Sequence, residues 1–586
     1  MIFRGDLVRL FAAVLVCFLG LAGCEGGPDR LEPVEQARNE IARGYPEDAR
    51  IILERKLSEG TDRADLAALL GEAALQSGDL ESAARWLEPG SFSDETAALG
   101  WRMLGRLEMA RGDLPAAGKA FDRSHAIAPE DPELWVDIGR LRFLGGEQVE
   151  AVEAADRALA LAPDNKAALR FRGQLIREAS GMVPAIEWFD RALELHPDDV
   201  DLRFDYVATL GDAGRANHAL AVLREGGEEA VLSENGLYLQ AVIAARGGRF
   251  LLARELLLRS GLESEGVPAA LMLSAIVDLQ NGNPASAAQT LDRLLLEQPD
   301  NVRAVELLAS ALLRSGSERE LVYRFAERAL GPAGSPHLRV LVGRAYEALE
   351  QRAKAAQFID LAALGPDGLA LLPSDTPTET LTATGGGGAQ TRDFVRSVLF
   401  GQARGSAVGS AQDFVRRFPG SADGYAILGD AELASGDRRA ARDAYVRAAD
   451  IRQPWPLTLR LAGSQATPAE AANLLRTYLE ANPMNGHAAA LLADAYAAQG
   501  KWRQAAMLFD HAIAHGQSRV PWVLASRGIA AGQLGDAGMA LDFAFRAHEL
   551  QPLNPRAIAA LIAVLPPEQN AARADLQAKL TSLLAP

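Results

Sequence analysis

The fold is decided by residues 101–129, which read WRMLGRLEMARGDLPAAGKAFDRSHAIAP. Apolar residues recur at helical spacing on both sides of Gly112, so the stretch predicts two helices joined by a short turn. A glycine at this turn adopts a positive φ at little cost and ends the first helix. Gly105 leaves room for the second helix to pack closely against the first. The stretch therefore predicts a helical hairpin.

The same hairpin pattern recurs at every thirty-fourth position along the chain. Each unit is marked by one anchor position where the second helix crosses the first; the anchors are Ala49, Ala83, Ala117, Ala151, Ala185, Ala219, Ala253, Ala287, Leu321 and Ala355. Five residues before the anchor, eight of ten residues are glycine, and twelve before it nine of ten are Gly or Ala. Unrelated amphipathic helices would not keep one phase over ten units, so residues 30–369 predict a ten-unit array.

The phase breaks after residue 369. Residues 370–390 are rich in threonine, proline and glycine, a composition that predicts a flexible linker. Hairpin signals resume over 391–586 with less regular spacing, including an anchor at Ala471, and end in capping helices from Ala557 to Leu584. The sequence thus predicts an all-α fold of about fifteen hairpins in two arms.

This pattern resembles the tetratricopeptide repeat (TPR). The unit that carries the resemblance best has Trp101-x-x-Leu104-Gly105, Ala117-x-x-x-Phe121 and Pro129, with Glu108 in place of the usual tyrosine. The resemblance implies a right-handed α-solenoid in which the first helix of each hairpin lines a concave groove. It also implies that positions 2, 5, 9 and 12 of each unit point into that groove and bind the ligand.

The N-terminus has the layout of an export signal. Arg4 and Arg9 precede an apolar run from Leu10 to Leu21, which is too short to span a bilayer comfortably as a helix. The following Leu21-Ala22-Gly23-Cys24 resembles the lipobox of bacterial lipoproteins. The resemblance implies a signal peptide over 1–23, acyl chains (palmitate or similar) on Cys24, and a lipidated tether over 24–29. The alternative is an ordinary signal anchor with a chance cysteine.

The expected location is the periplasmic side of the bacterial cell envelope. Aspartate after the lipidated cysteine is the established signal for retention at the inner membrane in Gram-negative lipoproteins. This chain has Glu25 there, which favours the outer membrane.

Composition and motifs argue against several function classes. The net charge of −17 opposes binding to nucleic acid, and two cysteines do not form a disulfide framework or a thiolate metal cage. The sequence has neither a phosphate-binding Gly-rich loop nor a Gly-x-Ser-x-Gly elbow, so we expect no enzyme activity and no cofactor. His511 and His515 have metal-ligand spacing but no evident third ligand, which favours a solvated helix face and no metal site.

Carrying the groove positions over to this chain places an unusual set of arginines there: Arg102, Arg106, Arg140, Arg170 and Arg177, with Gln174 among them. One interpretation is an anion-binding groove, in which like charges repel one another until an anionic ligand binds. The other is that these arginines pair with local acids such as Glu133 and Asp137.

The next units change from arginine to apolar groove residues, namely Phe204, Tyr238 and Met272. An exposed apolar groove is typical of a surface that binds a peptide or a helix. The alternative is that neighbouring parts of the superhelix cover these side chains.

Two hypotheses for function remain. The first is a membrane-tethered scaffold that faces the periplasm and gathers proteins or peptides in its concave groove. The second is a component of an exopolysaccharide assembly or export system that binds acidic polysaccharide or its machinery. The second rests on the layout, a lipobox followed at once by a TPR array, which resembles lipoproteins of exosortase and exopolysaccharide systems.

Overall fold

The structure, a computed structural model, describes residues 32–331, 334–363, 394–395, 398, 404–566 and 568–584. The chain divides into two compact units, one ending at Ile127 and one beginning at Ala128. This division falls inside the predicted ten-unit array, because a constant period along a chain does not reveal where its packing divides. The predicted signal peptide, Cys24 and the predicted linker over 370–390 lie outside the described residues.

The described part of the first unit is three helical hairpins. Their helices are α1 (Pro33–Ala42), α2 (Pro46–Ser58), α3 (Arg63–Gln76), α4 (Leu80–Leu87), α5 (Ala97–Arg111) and α6 (Leu114–Ile127). Consecutive helices pack on one another around small cores, one centred on Leu53 and Leu66 and another on Leu87 and Met103.

The second unit contains two series of hairpins, which we call array A and array B. Array A comprises α7 (Pro132–Leu144), α8 (Gln148–Leu161), α9 (Lys166–Ser180), α10 (Met182–Leu195), α11 (Val200–Asp212), α12 (Ala216–Glu225), α13 (Gly227–Leu232), α14 (Glu234–Arg246), α15 (Phe250–Ser260), α16 (Pro268–Gln280), α17 (Pro284–Glu297), α18 (Val302–Arg314), α19 (Glu318–Leu330), α20 (Pro336–Ala348) and α21 (Arg352–Ala363).

Array B comprises α22 (Arg404–Arg417), α23 (Ala422–Ser435), α24 (Arg438–Ile451), α25 (Trp455–Ser464), α26 (Pro468–Ala481), α27 (Gly486–Ala498), α28 (Trp502–Ala512), α29 (Pro521–Gln533), α30 (Ala537–Leu550), α31 (Pro555–Val564) and α32 (Asn570–Leu584). A kinked turn, Ile513–Gln517, follows α28, and its backbone is non-helical at His515 and Gly516. Counting paired helices only, the described ranges hold fifteen hairpins, so the predicted all-α hairpin fold is confirmed. None of the helices described is both long and apolar enough to cross a bilayer.

The repeating sequence pattern corresponds to packing. All ten anchor positions are at most 2% exposed. The small residue twelve positions earlier is required by the close approach of the two helices: a Cβ on Gly105 would lie 2.3 Å from Cε1 of Phe121, and one on Gly429 2.3 Å from Cε1 of Tyr445. Because contacts this short are not tolerated, any larger side chain would push the helices apart.

The turn glycines end the first helices as predicted. Gly112 and Gly146 both have φ of 82°, in the left-handed region that glycine adopts without strain. The unit with Ser180 places its positive φ on Gly181 instead, and the last unit of array A has a positive φ on Glu350.

A second periodic feature, which the sequence analysis missed, is the helix cap. First helices of array A begin after a side chain that accepts a hydrogen bond from a backbone N–H of the first turn. These residues recur in phase with the hairpins, at Asp131, Asn165, Asp199, Ser233, Asn301 and Ser335, with Val267 as the exception. Each such cap is worth about 1 kcal/mol.

Array B is less regular than array A. In the unit that ends near Pro483, the fully packed alanine is Ala472, 6% exposed, whereas the predicted anchor Ala471 is only half-buried. Thr467 and Glu470 form a capping box that fixes where α26 begins, and from that start the buried alanine is the fifth residue of the helix, whereas it is the fourth in array A.

Candidate functional site

The candidate site is the face of array A that carries the predicted groove residues, and we call it the inner face. Its members are Arg140, Arg170, Gln174, Arg177, Phe204, Tyr238 and Met272. They lie on α7, α9, α11, α14 and α16, the first helices of five successive hairpins. Each of these helices packs against the next, so the structure brings the seven residues onto neighbouring helices.

Arg170 is the most strongly paired arginine of the inner face. Its Nη1 lies 2.7 Å from Oδ2 of Asp201 and its Nε lies 2.9 Å from Oδ2 of Asp205, both on the next first helix. Gln174 donates a hydrogen bond to the same Asp205 oxygen at 3.4 Å. Burial lowers the pKa of Arg170, but Asp205 and Asp201 raise it above its ordinary value. Arg170 therefore joins α9 to α11.

Arg177 and Arg140 also face carboxylates. Arg177 lies 3.3 Å from Asp212, and that carboxylate is also bound by Arg246 at 2.5 Å. Arg140 lies 3.4 Å from Asp137, a residue whose side chain is 4% exposed. The expectation of repelling arginines without counter-charge is therefore wrong for Arg140, Arg170 and Arg177. These three arginines pair with nearby acids, as in the second interpretation. Binding of an anionic ligand to the inner face remains a prediction.

Arg102 and Arg106 lie on α5 in the first unit, and both are half-buried. The guanidinium Nη1 of Arg106 lies 4.0 Å from Sδ of Met103. The candidate site is accordingly built from residues of the second unit, and the convergence of all five arginines stays a prediction.

The predicted apolar residues of the inner face are half-buried. Phe204, Tyr238 and Met272 each pack with one side against a separate core cluster of array A. Burial raises the pKa of the Tyr238 hydroxyl above its ordinary value. Neighbouring hairpins thus cover part of each side chain, while the remaining part is accessible to a partner.

Contacts between array A and array B are a feature that the sequence analysis did not predict. Gln148 at the start of α8 is 5% exposed and makes two hydrogen bonds to array B. Its Oε1 accepts from the backbone N–H of Ala422 at 2.9 Å, and its Nε2 donates to Asp423 at 3.0 Å. The N–H of Val149 donates to the carbonyl of Gly420 at 3.2 Å.

Further contacts follow along both arrays in the same chain order. The N–H of Gln453 donates to the carbonyl of Ala179 at 3.0 Å. The turn at Met484 rests on Gly214, where an added Cβ would lie 2.5 Å from the methionine sulfur. Near the end of array A, the guanidinium of Arg344 donates to the carbonyl of Glu549. Sequence alone gives no signal for these contacts, since the residues that make them lie in turns and on helices without a distinguishing pattern.

The histidine pair with metal-ligand spacing is engaged with the backbone. Nε2 of His511 lies 2.7 Å from the carbonyl oxygen of Pro483, and Nδ1 of His515 lies 2.7 Å from that of His511. Within the described ranges, no group of three or more His, Cys, Asp or Glu side chains is placed to hold a metal ion.

The fold and the inner face define a helical-repeat scaffold, in which a regular series of hairpins presents one continuous face of first helices. Two family models, both described as tetratricopeptide repeat, match residues 464–522 and residues 137–200 with 273–320. A TPR repeat-containing protein of Pseudomonas aeruginosa is 38% identical over 76 residues, which is 13% of this chain and 72% of that protein. The chain belongs to the tetratricopeptide repeat family.

Solved structures similar to this chain include one human and one yeast protein. The human IFIT1 dimer with PPP-AAAA is 14% identical, with a TM-score of 0.36 over 70% of this chain and 94% of that chain. Yeast Tom70 is 14% identical, with a TM-score of 0.31 over 76% of this chain and 96% of that chain.

Proposed function

We propose that the protein is a non-catalytic scaffold, tethered to a membrane and facing the periplasm, that binds protein partners along the inner face of array A. The observation that supports this proposal is the exposure of the side chains on that face. The side chains of Arg140, Arg170 and Arg177 are 37%, 30% and 33% exposed, whereas the anchor positions of the same hairpins are fully buried. Packing alone does not require these side chains to be accessible.

The chemistry of the inner face suits a partner with both apolar and polar groups. Half-buried Phe204, Tyr238 and Met272 offer apolar surface beside the ion pairs of Arg170 and Arg177. A partner that offered only negative charge would have to displace the carboxylates already bound to these arginines. A peptide or helix that covers the apolar residues gains the burial of nonpolar area without that competition.

The tether in this proposal is Cys24. Acyl chains on its sulfur would hold the array at the membrane, because each buried methylene contributes about 0.8 kcal/mol and more than one chain gives stable anchoring. The sequence features that support this are the basic start, the short apolar run and the lipobox-like Leu21 to Cys24. We place the protein at the outer membrane, on the periplasmic side.

Site-specific photocrosslinking in bacterial cells that express the protein tests the binding face. A photoreactive phenylalanine derivative replaces Tyr238 on the inner face or, as the matched control, Tyr323, which is 91% exposed on α19, a second helix. We expect discrete crosslinked species from position 238 and few from position 323. Equal crosslinking from both positions, or none from position 238, would contradict the proposed face.

The same experiment distinguishes a protein partner from the alternative, a role in exopolysaccharide assembly or export. If the partner is a protein, mass spectrometry of the digested adduct gives a partner peptide joined to the peptide that carries position 238, and a polysaccharide lyase leaves the intact adduct unchanged. If acidic polysaccharide binds the inner face instead, no partner peptide is found, and treatment of the intact adduct with a polysaccharide lyase returns it to the size of the unlinked protein.

A further inference from the structure

A cavity of about 350 Å³ lies between array A and array B, away from the arginines of the inner face. Array A lines it with residues of α16, α18 and α20, and array B lines it with the turn over residues 516–520. The turn is shaped by the kink within Ile513–Gln517, where Gly516 has φ of 98°. The cavity volume is within the range of small-molecule sites, about 300–1,000 Å³.

Three guanidinium groups line this cavity: Arg303 and Arg314 from α18, and Arg519 from the turn of array B. All three side chains are exposed. Throughout the part of the chain that the structure describes, Arg314 and Arg519 form no ion pair, and Arg303 lies 3.8 Å from its nearest carboxylate, Glu306. Arg314 and Arg519 therefore differ from the arginines of the inner face, which have close counter-charges.

Glu306 is the one carboxylate among the cavity-lining residues, and it is already engaged. Its Oε1 accepts a hydrogen bond from Oγ of Ser335 at 2.5 Å, and its side chain is 15% exposed. Burial lowers the pKa of the neighbouring His337 imidazole; Glu306 opposes this, while Arg519 and Arg303 lower it further. The cavity thus has an excess of positive charge in a chain whose net charge is −17.

We propose that this cavity binds a compact anion with two or more charged oxygens, such as a polycarboxylate or a phosphorylated small molecule, and that the anion joins array A to array B. Guanidinium groups bind carboxylate and phosphate with paired, charge-assisted hydrogen bonds. The donors come from α18 and from the 516–520 turn, so an anion that binds donors of both would contact both arrays. None of the seven inner-face residues lines this cavity, so the test of the cavity does not depend on the proposed partner-binding face.

Isothermal titration calorimetry on the full chain in detergent tests the site. The probes are citrate, inorganic phosphate and, as a singly charged comparison, acetate. We expect citrate or phosphate to bind more tightly than acetate, and Arg314→Gln and Arg519→Gln each to weaken that binding about tenfold, as expected for the loss of one charge-assisted hydrogen bond. The difference between citrate and phosphate identifies whether carboxylate or phosphate is preferred.

The matched control is Arg503→Gln. Arg503 is an exposed arginine of α28 that does not line the cavity, so this variant removes the same charge from array B. We expect it to bind the probe as the unmodified protein does. Equal weakening by Arg503→Gln, unchanged binding by both cavity variants, or no binding of citrate and phosphate at millimolar concentration would each overturn the proposal.

Hydrogen exchange tests the bridging role. With the better probe bound, we expect slower amide exchange in the 516–520 turn and in α18 together, because the anion restrains both. Protection of α18 alone would show an anion site on array A and would overturn the claim that the anion joins the arrays.

Discussion

Glu350 is a single residue at which the repeat pattern is strained. It occupies the turn position that is glycine in eight of the ten units, and it is the one non-glycine residue with a positive φ, 60°, in the described ranges. A side chain in this region costs about 1–2 kcal/mol, part of which is offset because glycine also gains freedom in the unfolded chain. We therefore expect Glu350→Gly to stabilise the protein by about 0.5–1 kcal/mol.

Chemical denaturation with a probe in array A measures this change. The control is Gly316→Glu at the equivalent position one unit earlier, where φ is 76° and a Cβ meets nothing within 4 Å. That variant should lose stability by a similar amount. If Glu350→Gly is neutral or destabilising while Gly316→Glu behaves as expected, the exposed Glu350 side chain makes a favourable interaction that outweighs its strain.

Half-buried histidines give the stability of the protein a pH dependence. Burial lowers the pKa of His337, His487 and His548 below the ordinary value, and the His487 ring packs edge-on against Trp455 with 5.1 Å between ring centroids. Below about pH 6.5 the unfolded chain takes up protons that these folded imidazoles do not, so stability is full above that pH and falls as the pH decreases.

The corresponding prediction concerns His487→Phe, which keeps an aromatic ring beside Trp455 but does not titrate. We expect the melting temperature of the unmodified protein to fall between pH 7 and pH 5, and the variant to show a smaller fall. Differential scanning calorimetry at several pH values measures both slopes. Identical slopes would show that His487 contributes nothing to this pH dependence.

At the scale of single helices, the residues that recur in every hairpin could be predicted from the sequence. The residues that contact another hairpin or the other array could not. The glycine that ends each first helix, the small residue at the crossing and the anchor alanine are imposed on every hairpin, so the sequence repeats them. Gln148 is different: its side chain is buried against array B, but its position in the chain is that of an ordinary first-turn residue. Likewise, the ion pairs of Arg170 with Asp201 and Asp205 depend on the packing of α9 beside α11, which the sequence does not indicate.

Gln148 is expected to hold the start of α23 against array A. Gln148→Ala leaves the N–H of Ala422 without its acceptor in a buried setting, at a cost of about 1–3 kcal/mol to the local contact. We therefore expect faster amide hydrogen exchange over 420–424, with exchange in α5 and α6 of the first unit unchanged.

A matched control for this experiment is Gln499→Ala, which removes an exposed glutamine from the end of α27. It should leave exchange over 420–424 as in the unmodified protein. Unchanged exchange in Gln148→Ala would mean that other contacts hold the two arrays together.

For the whole molecule, the sequence predicts that proteases cut first between Leu371 and Thr391, in the linker-like composition. The contacts between array A and array B add an expectation that the sequence did not: the two fragments should stay associated after cleavage. Size-exclusion chromatography of the nicked protein should give one peak containing both fragments. Two separate peaks without denaturant would show that the arrays do not hold together once the connection is cut.

The proposed tether is also a property of the whole molecule. Cys24→Ser removes the sulfur at which we propose that acyl chains are attached, so we expect the variant to leave the membrane fraction or to accumulate as an uncleaved precursor. Membrane fractionation on a sucrose gradient checks this and also separates outer from inner membrane. Normal processing with retained membrane binding would exclude lipid attachment at Cys24.

The constant repeat period over residues 30–369 predicts the hairpins of that part of the chain but not its binding partner. Residues that make the fold are repeated and therefore visible in one sequence, whereas inner-face residues such as Arg170 and Tyr238 differ from unit to unit. Their role depends on which neighbours cover or neutralise them, and that depends on packing between units.

The order of contacts between the arrays has a consequence for how the chain finds its native pairing. The stretch of array A from Ala179 to Arg344 is much longer than the stretch of array B that it meets, from Gln453 to Glu549. Because the contacts divide the two arrays into stretches of different length, only one alignment of array A with array B makes all of them at once. A slip by one hairpin, which units of equal length would otherwise permit, cannot keep both ends matched. Removing one whole repeat unit from the middle of array A, a change that open repeat arrays tolerate, should therefore destroy the pairing while leaving each hairpin intact.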